Sequence, residues 1–346
     1  MSVAPWASHD FFVEMPHMVP GEKLSEVEFL KMLAAFQWRG IADRLGKQPQ
    51  NIANEAGERL YGSVIDFEMN FGATHSQDRF CEGAPVHVRN RVDFFAGRFV
   101  EGFFVFGDEE IPSDALPTLK TKRDLRDLGL PWAYMTNAFI ARAGGNTRLK
   151  VFQPAGIDES GVAQLKETPG GIVDHRTVHG SGQIPDFGEA YRPRPLDSLD
   201  PRPVVYQIVP ESDLNGAGLV YFARYLAMMN YGERLHLNEK LGQRLSSDLV
   251  SCLSTDHRRV FFYGNASASD SVEIVVRVSV MAPGDFPASE GPSRWRTPLK
   301  FEFTHELYRG TDKTLMAISR VRKSLNVPGD RKGVLMEADR FLARLG

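Results

Sequence analysis

The chain has 346 residues, 42% of them hydrophobic and 25% charged, with a formal net charge of −3. That length exceeds what one hydrophobic core usually serves, so two domains are expected. The charge balance leaves no footprint for nucleic acid, no apolar run has the length of a membrane span, and Cys81 and Cys252 are too few for a disulfide framework.

The amino terminus has no basic stretch ahead of an apolar core, which argues against a secretory signal and for a cytoplasmic protein. An apolar segment, Phe11 to Val19, ends at Pro20-Gly21. Ser25 and Glu28 have capping-box spacing, and Val27, Leu30, Ala34, Trp38, Ile41 and Leu45 then follow a helical stripe. Leu60 to Phe71 alternates, placing Tyr61, Ser63, Ile65 and Phe67 on one face that is expected to point inward. Further strands are expected at Val86 to Phe94, Phe99 to Phe106 and Tyr134 to Arg142.

Residues 156–203 are rich in Gly, Pro and Asp and read as an irregular connector between an amino-terminal domain, 1–155, and a carboxy-terminal domain, 204–346. The second domain opens with a strand, Val204 to Val209, and a long helix, Ala217 to Lys240. Strands are expected at Val260 to Asn265, Val272 to Met281, Leu299 to Leu307 and Leu315 to Arg322, and a helix over 331–345. The same element order therefore occurs twice. Aligning Val19-Pro20 with Val209-Pro210 sets Ser25 opposite Asn215, an internal match that points to duplication.

The run Asp213-Leu-Asn215-Gly216-Ala-Gly218-Leu-Val-Tyr-Phe resembles the start of the central helix in hot-dog-fold acyl-CoA enzymes. The resemblance implies an α+β double hot dog: two fused units, each an antiparallel sheet wrapped around a long helix. It also places an acyl thioester at the helix amino terminus. Where thioesterases of the hydroxybenzoyl-CoA type carry a catalytic aspartate, three residues before Gly218, this chain has Asn215. Leu24-Ser25-Glu26, Gln37-Trp38, Gly57-Glu-Arg-Leu-Tyr61-Gly-Ser63 and Met135-Thr136-Asn137-Ala-Phe139 resemble a narrower family. This is the bifunctional acyltransferase/decarboxylases of polyketide biosynthesis, typified by the leinamycin-pathway enzyme.

That second resemblance implies a tyrosine nucleophile, matched by Tyr61, which takes a methylmalonyl group from CoA. The acyl group is decarboxylated and passed to the phosphopantetheine of an acyl carrier protein, with no cofactor bound to the enzyme itself. A phenol has a pKa of about 10 and attacks poorly unless a neighbour favours its phenolate; an inward strand tyrosine is otherwise a core residue. Asn215 suits a decarboxylase because an enolate oxygen needs neutral donors, and a carboxylate there would repel the substrate's own. Its other reading is a helix cap.

Ser63, Asn137, Gly216, Gly218, His17 and Ser25 complete the candidate substrate-binding set. Arg142, Arg148, Lys150 and Arg224 are candidates for CoA phosphates or an acidic carrier, with solvated surface charge as the default reading. His305 reads as a core residue. His175 and His179 have a metal-like interval but no further ligands in sequence, so no metal is expected. The competing functions are a hot-dog thioesterase or dehydratase and a non-catalytic acyl-CoA-binding module. A homodimer is compatible with either.

Overall fold

The computed structural model describes residues 5–72, 77–112, 116, 119, 121–141, 150–157, 165–185, 187, 194–196, 201–241, 244–281, 299–327 and 330–345. The first half runs β1 (Ala7–Phe12), β2 (Met18–Val19), β3 (Lys23–Leu24), α1 (Glu26–Leu45), β4 (Leu60–Asn70), β5 (Pro85–Phe95), β6 (Phe99–Gly107), α2 (Lys122–Asp127) and β7 (Trp132–Ala141). Between the halves lie β8 (Lys150–Val151), α3 (Gly170–Ser181) and β9 (Arg194–Pro195). The second half follows with β10 (Val204–Gln207), α4 (Pro210–Asp213), α5 (Phe222–Leu241) and α6 (Ser247–Ser251). It ends with β11 (Leu253–Phe262), β12 (Ser271–Met281), β13 (Leu299–Arg309), β14 (Leu315–Leu325) and α7 (Lys332–Leu345).

One twelve-stranded sheet carries both halves in the order β1-β5-β6-β7-β4-β11-β14-β13-β12-β10, with β8 and β9 paired to β7 and β12. The order mirrors itself about the β4–β11 seam, where the first strand after each long helix meets its counterpart antiparallel. Helix α1 packs on β5 and β6, α5 packs on β12 and β10, and the two helices touch each other. The chain is a double hot dog. Both helices share one core, which includes Leu30, Leu226, Phe67 and Phe303 at zero exposure. Each such side chain contributes about 1.5–3 kcal/mol by leaving water.

Ser25 caps α1 by accepting from the Glu28 N–H at 3.3 Å, while the Glu28 carboxylate pairs with Lys31 and does not close the box. Four other expectations need correction. Helix α5 begins at Phe222, five residues later than expected, because residues 214–220 close a tight loop bridged between Leu214 and Val220. Strand β11 begins at Leu253 rather than 260, and His257, Arg258 and Arg259 lie inside it. These charged residues obscure the strand pattern yet are buried, because carboxylates of other elements meet them.

The connector contains α3, a regular helix that its Pro-Gly-Gly start conceals. Finally, β4 is interrupted by an irregularity between Val64 and Asp66. The extra residue shifts the phase of the strand, so Leu60, Val64, Phe67 and Met69 all join the core. Tyr61 and Ser63 consequently share the opposite, outer face with Asp66 and Glu68, and the inward-facing set expected from strict alternation does not exist.

Candidate active site

The outer face at the seam is covered by α3, and the local chemistry explains why it seats there. The Gly171 N–H donates to the Tyr134 hydroxyl at 3.2 Å, and a Cβ on Gly171 would lie 2.2 Å from Thr136 Oγ1. Asp174, one turn on, accepts from Arg259 at 2.6 Å, and the same guanidinium holds Asp66. Only a glycine at position 171 allows this close approach.

Between α3, the seam and the start of α5 lies a cavity of about 530 Å³. Its walls are mainly apolar, including Val64, Ile65, Ala138, Ile140, Val220, Phe222 and Phe262; Ser63, His175, Arg176, His179 and Asn265 supply polar groups. Such a mixture, apolar walls with a few convergent polar groups, suits an acyl chain with a polar head.

The polar groups are held in defined states. His175 Nε2 lies 2.9 Å from the Phe262 carbonyl, which can only accept, so Nε2 carries the proton. Burial lowers the His175 pKa below the ordinary histidine value, and His179 and Arg176 add to that; the Phe262 hydrogen bond and Asp66 oppose it. Its ring packs 4.5 Å from that of Tyr263, whose hydroxyl donates to the His175 carbonyl. The His179 ring lies 4.8 Å from the same tyrosine. Asn265 clasps Val220, accepting its N–H at 2.9 Å and donating to its carbonyl at 3.3 Å, which ties β11 to the approach of α5.

The sequence candidates divide between this cavity and other places. Ser63 and the amino-terminal end of α5 line it. Tyr61 is paired across β4–β7 with Ile140, a lining residue, and lies on the same sheet face; the Arg59 guanidinium sits 5.2 Å over its ring. Asn215 is set back from the wall. Its side-chain oxygen accepts from the N–H groups of Ala217 and Leu219 at 2.9 and 3.2 Å, so it shapes a turn rather than capping α5. These bonds use the oxygen and leave the NH₂ as a donor. Gly218, at φ +71°, completes that turn, and Gly216 is exposed within it, so neither glycine opens the helix itself.

Asn137 faces the interior of the first half, where its side-chain oxygen accepts from Gln37 of α1 at 2.8 Å. His17 Nδ1 accepts from the Glu14 N–H, and its carbonyl accepts from Ser25, so it braces the approach to α1. Ser25 lines a second cavity of about 420 Å³ between the long helices, together with Glu26, Asn230, Glu233 and Lys323. There burial alone would raise Glu26, but Arg258 and Lys323 outweigh it and hold the carboxyl below its ordinary range. The carboxylate of Asp213 binds Arg224 at 2.9 Å, which removes that arginine from the phosphate candidates. Lys150 is exposed on β8, and Arg142 and Arg148 lie outside the described residues. His305 is fully buried beside Glu233 at 3.1 Å. Among the described residues no group of three or more His, Cys, Asp or Glu is placed to hold a metal ion.

Sequence reasoning did not select Asn265, and it weighed His175 and His179 only as metal ligands. The available signal was their i, i+4 spacing, which puts both on one face of a helix once a helix is recognised there. The flanking glycines and prolines hid that helix.

No protein-family model matches the chain, and no curated protein matches it in sequence. Among solved structures it is similar to a protein described as an oleoyl thioesterase from Lactobacillus plantarum. The TM-score is 0.55 at 11% identity, over 94% of this chain and 98% of that one. An acyl-ACP thioesterase from Bacteroides thetaiotaomicron gives a TM-score of 0.49 at 12% identity, over 92% and 97% of the two chains. The 12:0-ACP thioesterase from Umbellularia californica gives 0.48 at 9% identity, over 92% and 96%. The first likeness spans both halves and shows a shared hot-dog fold.

Proposed function

We propose that the chain is an enzyme of acyl thioesters that takes a malonyl-type group, methylmalonyl in the first instance, from CoA onto Tyr61. It decarboxylates that group and transfers the remaining acyl unit to the phosphopantetheine thiol of an acyl carrier protein. The observation that supports this most is the juxtaposition of Tyr61 with a largely apolar cavity at the start of α5: Ile140 both pairs with Tyr61 and lines the cavity. An aryl ester is an activated acyl donor, which suits delivery to a thiol. Decarboxylation leaves an enolate oxygen that neutral donors stabilise; the Ser63 hydroxyl, in the cavity lining, is assigned the direct part and the Asn215 NH₂, set back from the wall, a supporting one. No carboxylate lines this cavity among the described residues, so the substrate's own carboxylate meets no like charge there.

A second reading, a thioesterase, is favoured by one feature: a histidine held neutral in the cavity wall is able to activate water. Thioesterases of similar fold lend it further support. Intact-protein mass spectrometry after incubation with methylmalonyl-CoA, malonyl-CoA or acetyl-CoA separates the readings. The acyltransferase/decarboxylase gains a propionyl or acetyl mass on Tyr61 from the first two substrates. A thioesterase releases free acid without an adduct, and a binding module leaves the ligand unchanged.

A further inference from the structure

A thiol that attacks a tyrosyl ester must lose a proton, and the tyrosine oxygen that leaves must gain one. At neutral pH few thiols are ionised, since their pKa is about 8.5, so the transfer step needs a base. Four observations single out one residue for it. His175 stands in the wall of the cavity that Ile140, the cross-strand neighbour of Tyr61, also lines. Its Nε2 proton is committed to the Phe262 carbonyl, which fixes the neutral tautomer with a lone pair on Nδ1. Among the described residues no hydrogen bond engages Nδ1. The helix that carries it is clamped to the seam by Asp174 and Arg259 one residue away, so the imidazole is held without being consumed by the clamp.

We infer that His175 is a further catalytic residue of this cavity: its Nδ1 takes the proton of the acceptor thiol and delivers it to the Tyr61 oxygen. The inference rests on the acyl-tyrosine reading above. In this step the thiol sulfur forms the new bond to the acyl carbon and the bond from that carbon to Tyr61 breaks. The proton moves from sulfur to Nδ1 to the phenol oxygen, and no oxidant or further reactant is consumed. The groups around the imidazole agree with this role. Burial, Arg176 and His179 disfavour the imidazolium, while the Phe262 carbonyl and Asp66 of β4 favour it. Tyr263 packs against the ring at a tilt, and its hydroxyl donates to the His175 carbonyl rather than engaging the imidazole. The balance leaves the base unprotonated at neutral pH.

The test uses the full chain loaded with methylmalonyl-CoA and then chased with pantetheine, the adduct being followed by intact mass. His175→Gln keeps an N–H for the Phe262 carbonyl but removes the base. The expected result is an acyl adduct that forms only on longer incubation, because loading from CoA is the same exchange in reverse, and that is discharged at least about 100-fold more slowly, the usual scale of a lost general base. Wild-type discharge should be independent of pH between about 7 and 8, because the base, not the free thiolate, sets the rate; the variant should accelerate about ten-fold per pH unit, tracking thiolate. The wild-type profile decides the matter even if the variant folds poorly: a ten-fold rise per pH unit there overturns the assignment. An adduct that discharges from His175→Gln at the wild-type rate overturns His175 alone. Absence of any adduct on the wild type overturns the Tyr61 reading, and this step with it.

Discussion

Arg259 forks onto Asp66 across the seam between the two half-sheets, with Nε and Nη2 at 3.2 and 3.0 Å from the two carboxylate oxygens. Both side chains are almost fully buried, and the same guanidinium reaches Asp174 on α3. One arginine thus joins the first half, the second half and the helix that roofs the cavity. Burial opposes its charge, but Asp66, Glu68 and Asp174 hold it as a cation.

Arg259→Met should therefore be costly, because it strips the buried Asp66 of its two-pronged partner and leaves it, among the described residues, only the ion pair to Lys122 at 3.7 Å. We expect a loss of about 3–5 kcal/mol in denaturant unfolding, the scale for breaking a buried ion pair. Proteolysis near α3 should accelerate at the same time. A change below 1 kcal/mol, on the order of an exposed pair, would show that the clamp is solvated.

Tyr61→Phe removes one oxygen from a half-buried ring and leaves the stack under Arg59. Its melting midpoint should stay near the wild-type value, with a change of about 0.5 kcal/mol or less. The variant should bind acyl-CoA yet form no covalent adduct and load no carrier. An acyl group trapped on Ser63 or Cys81 would refute the assignment.

Asn215→Asp separates the two roles of that residue. An aspartate still accepts from the N–H groups of Ala217 and Leu219, so the turn before α5 should persist. It replaces the NH₂ donor by a negative charge, and decarboxylation should fall by roughly ten-fold or more, as for loss of an oxyanion donor. Carbon dioxide release measured alongside a thermal melt checks both parts. Full activity would mean that Asn215 only shapes the turn.

Glu101 predicts a pH dependence of stability. Burial raises its carboxyl to about 7, with Asp93 adding to this and the Tyr134 hydroxyl and nearby cations opposing. A carboxyl whose pKa is higher in the folded than in the unfolded chain favours folding below the unfolded value, and that contribution is lost as pH climbs through the window between them. Between about pH 4.5 and 7 the loss amounts to something on the order of 3 kcal/mol. Glu101→Gln should abolish it: stability from urea titrations at pH 5 and pH 8 should differ less than in the wild type. Equal slopes in the two proteins would show that Glu101 ionises freely.

Gly171→Ala should lift α3, because its Cβ would meet Thr136 Oγ1 at 2.2 Å and the Asp66 carboxylate at 2.9 Å. Acyl-CoA affinity should weaken by about ten-fold, equivalent to about 1.4 kcal/mol, while the two-helix core melts as before. Calorimetric titration checks the affinity, and unchanged binding would show that the roof is not part of the site.

The duplicated order of elements, the two long helices and most strands were legible in the sequence because hydrophobic period is a local property. Val27, Leu30 and Ile41 mark α1, and Val272, Ile274 and Val276 mark β12, without reference to any other part of the chain. The Ser25 cap is equally local. What the sequence left undecided depended on partners far along the chain. His257, Arg258 and Arg259 read as exposed until Glu68, Glu26 and Asp66 are brought beside them, so the start of β11 was hidden. The irregularity in β4 reversed the face of Tyr61, because one unpaired residue shifts a period of two by half a cycle. And the cavity itself joins residues of β4, α3, α5 and β11, whose adjacency is created only when the two halves pair along a single seam.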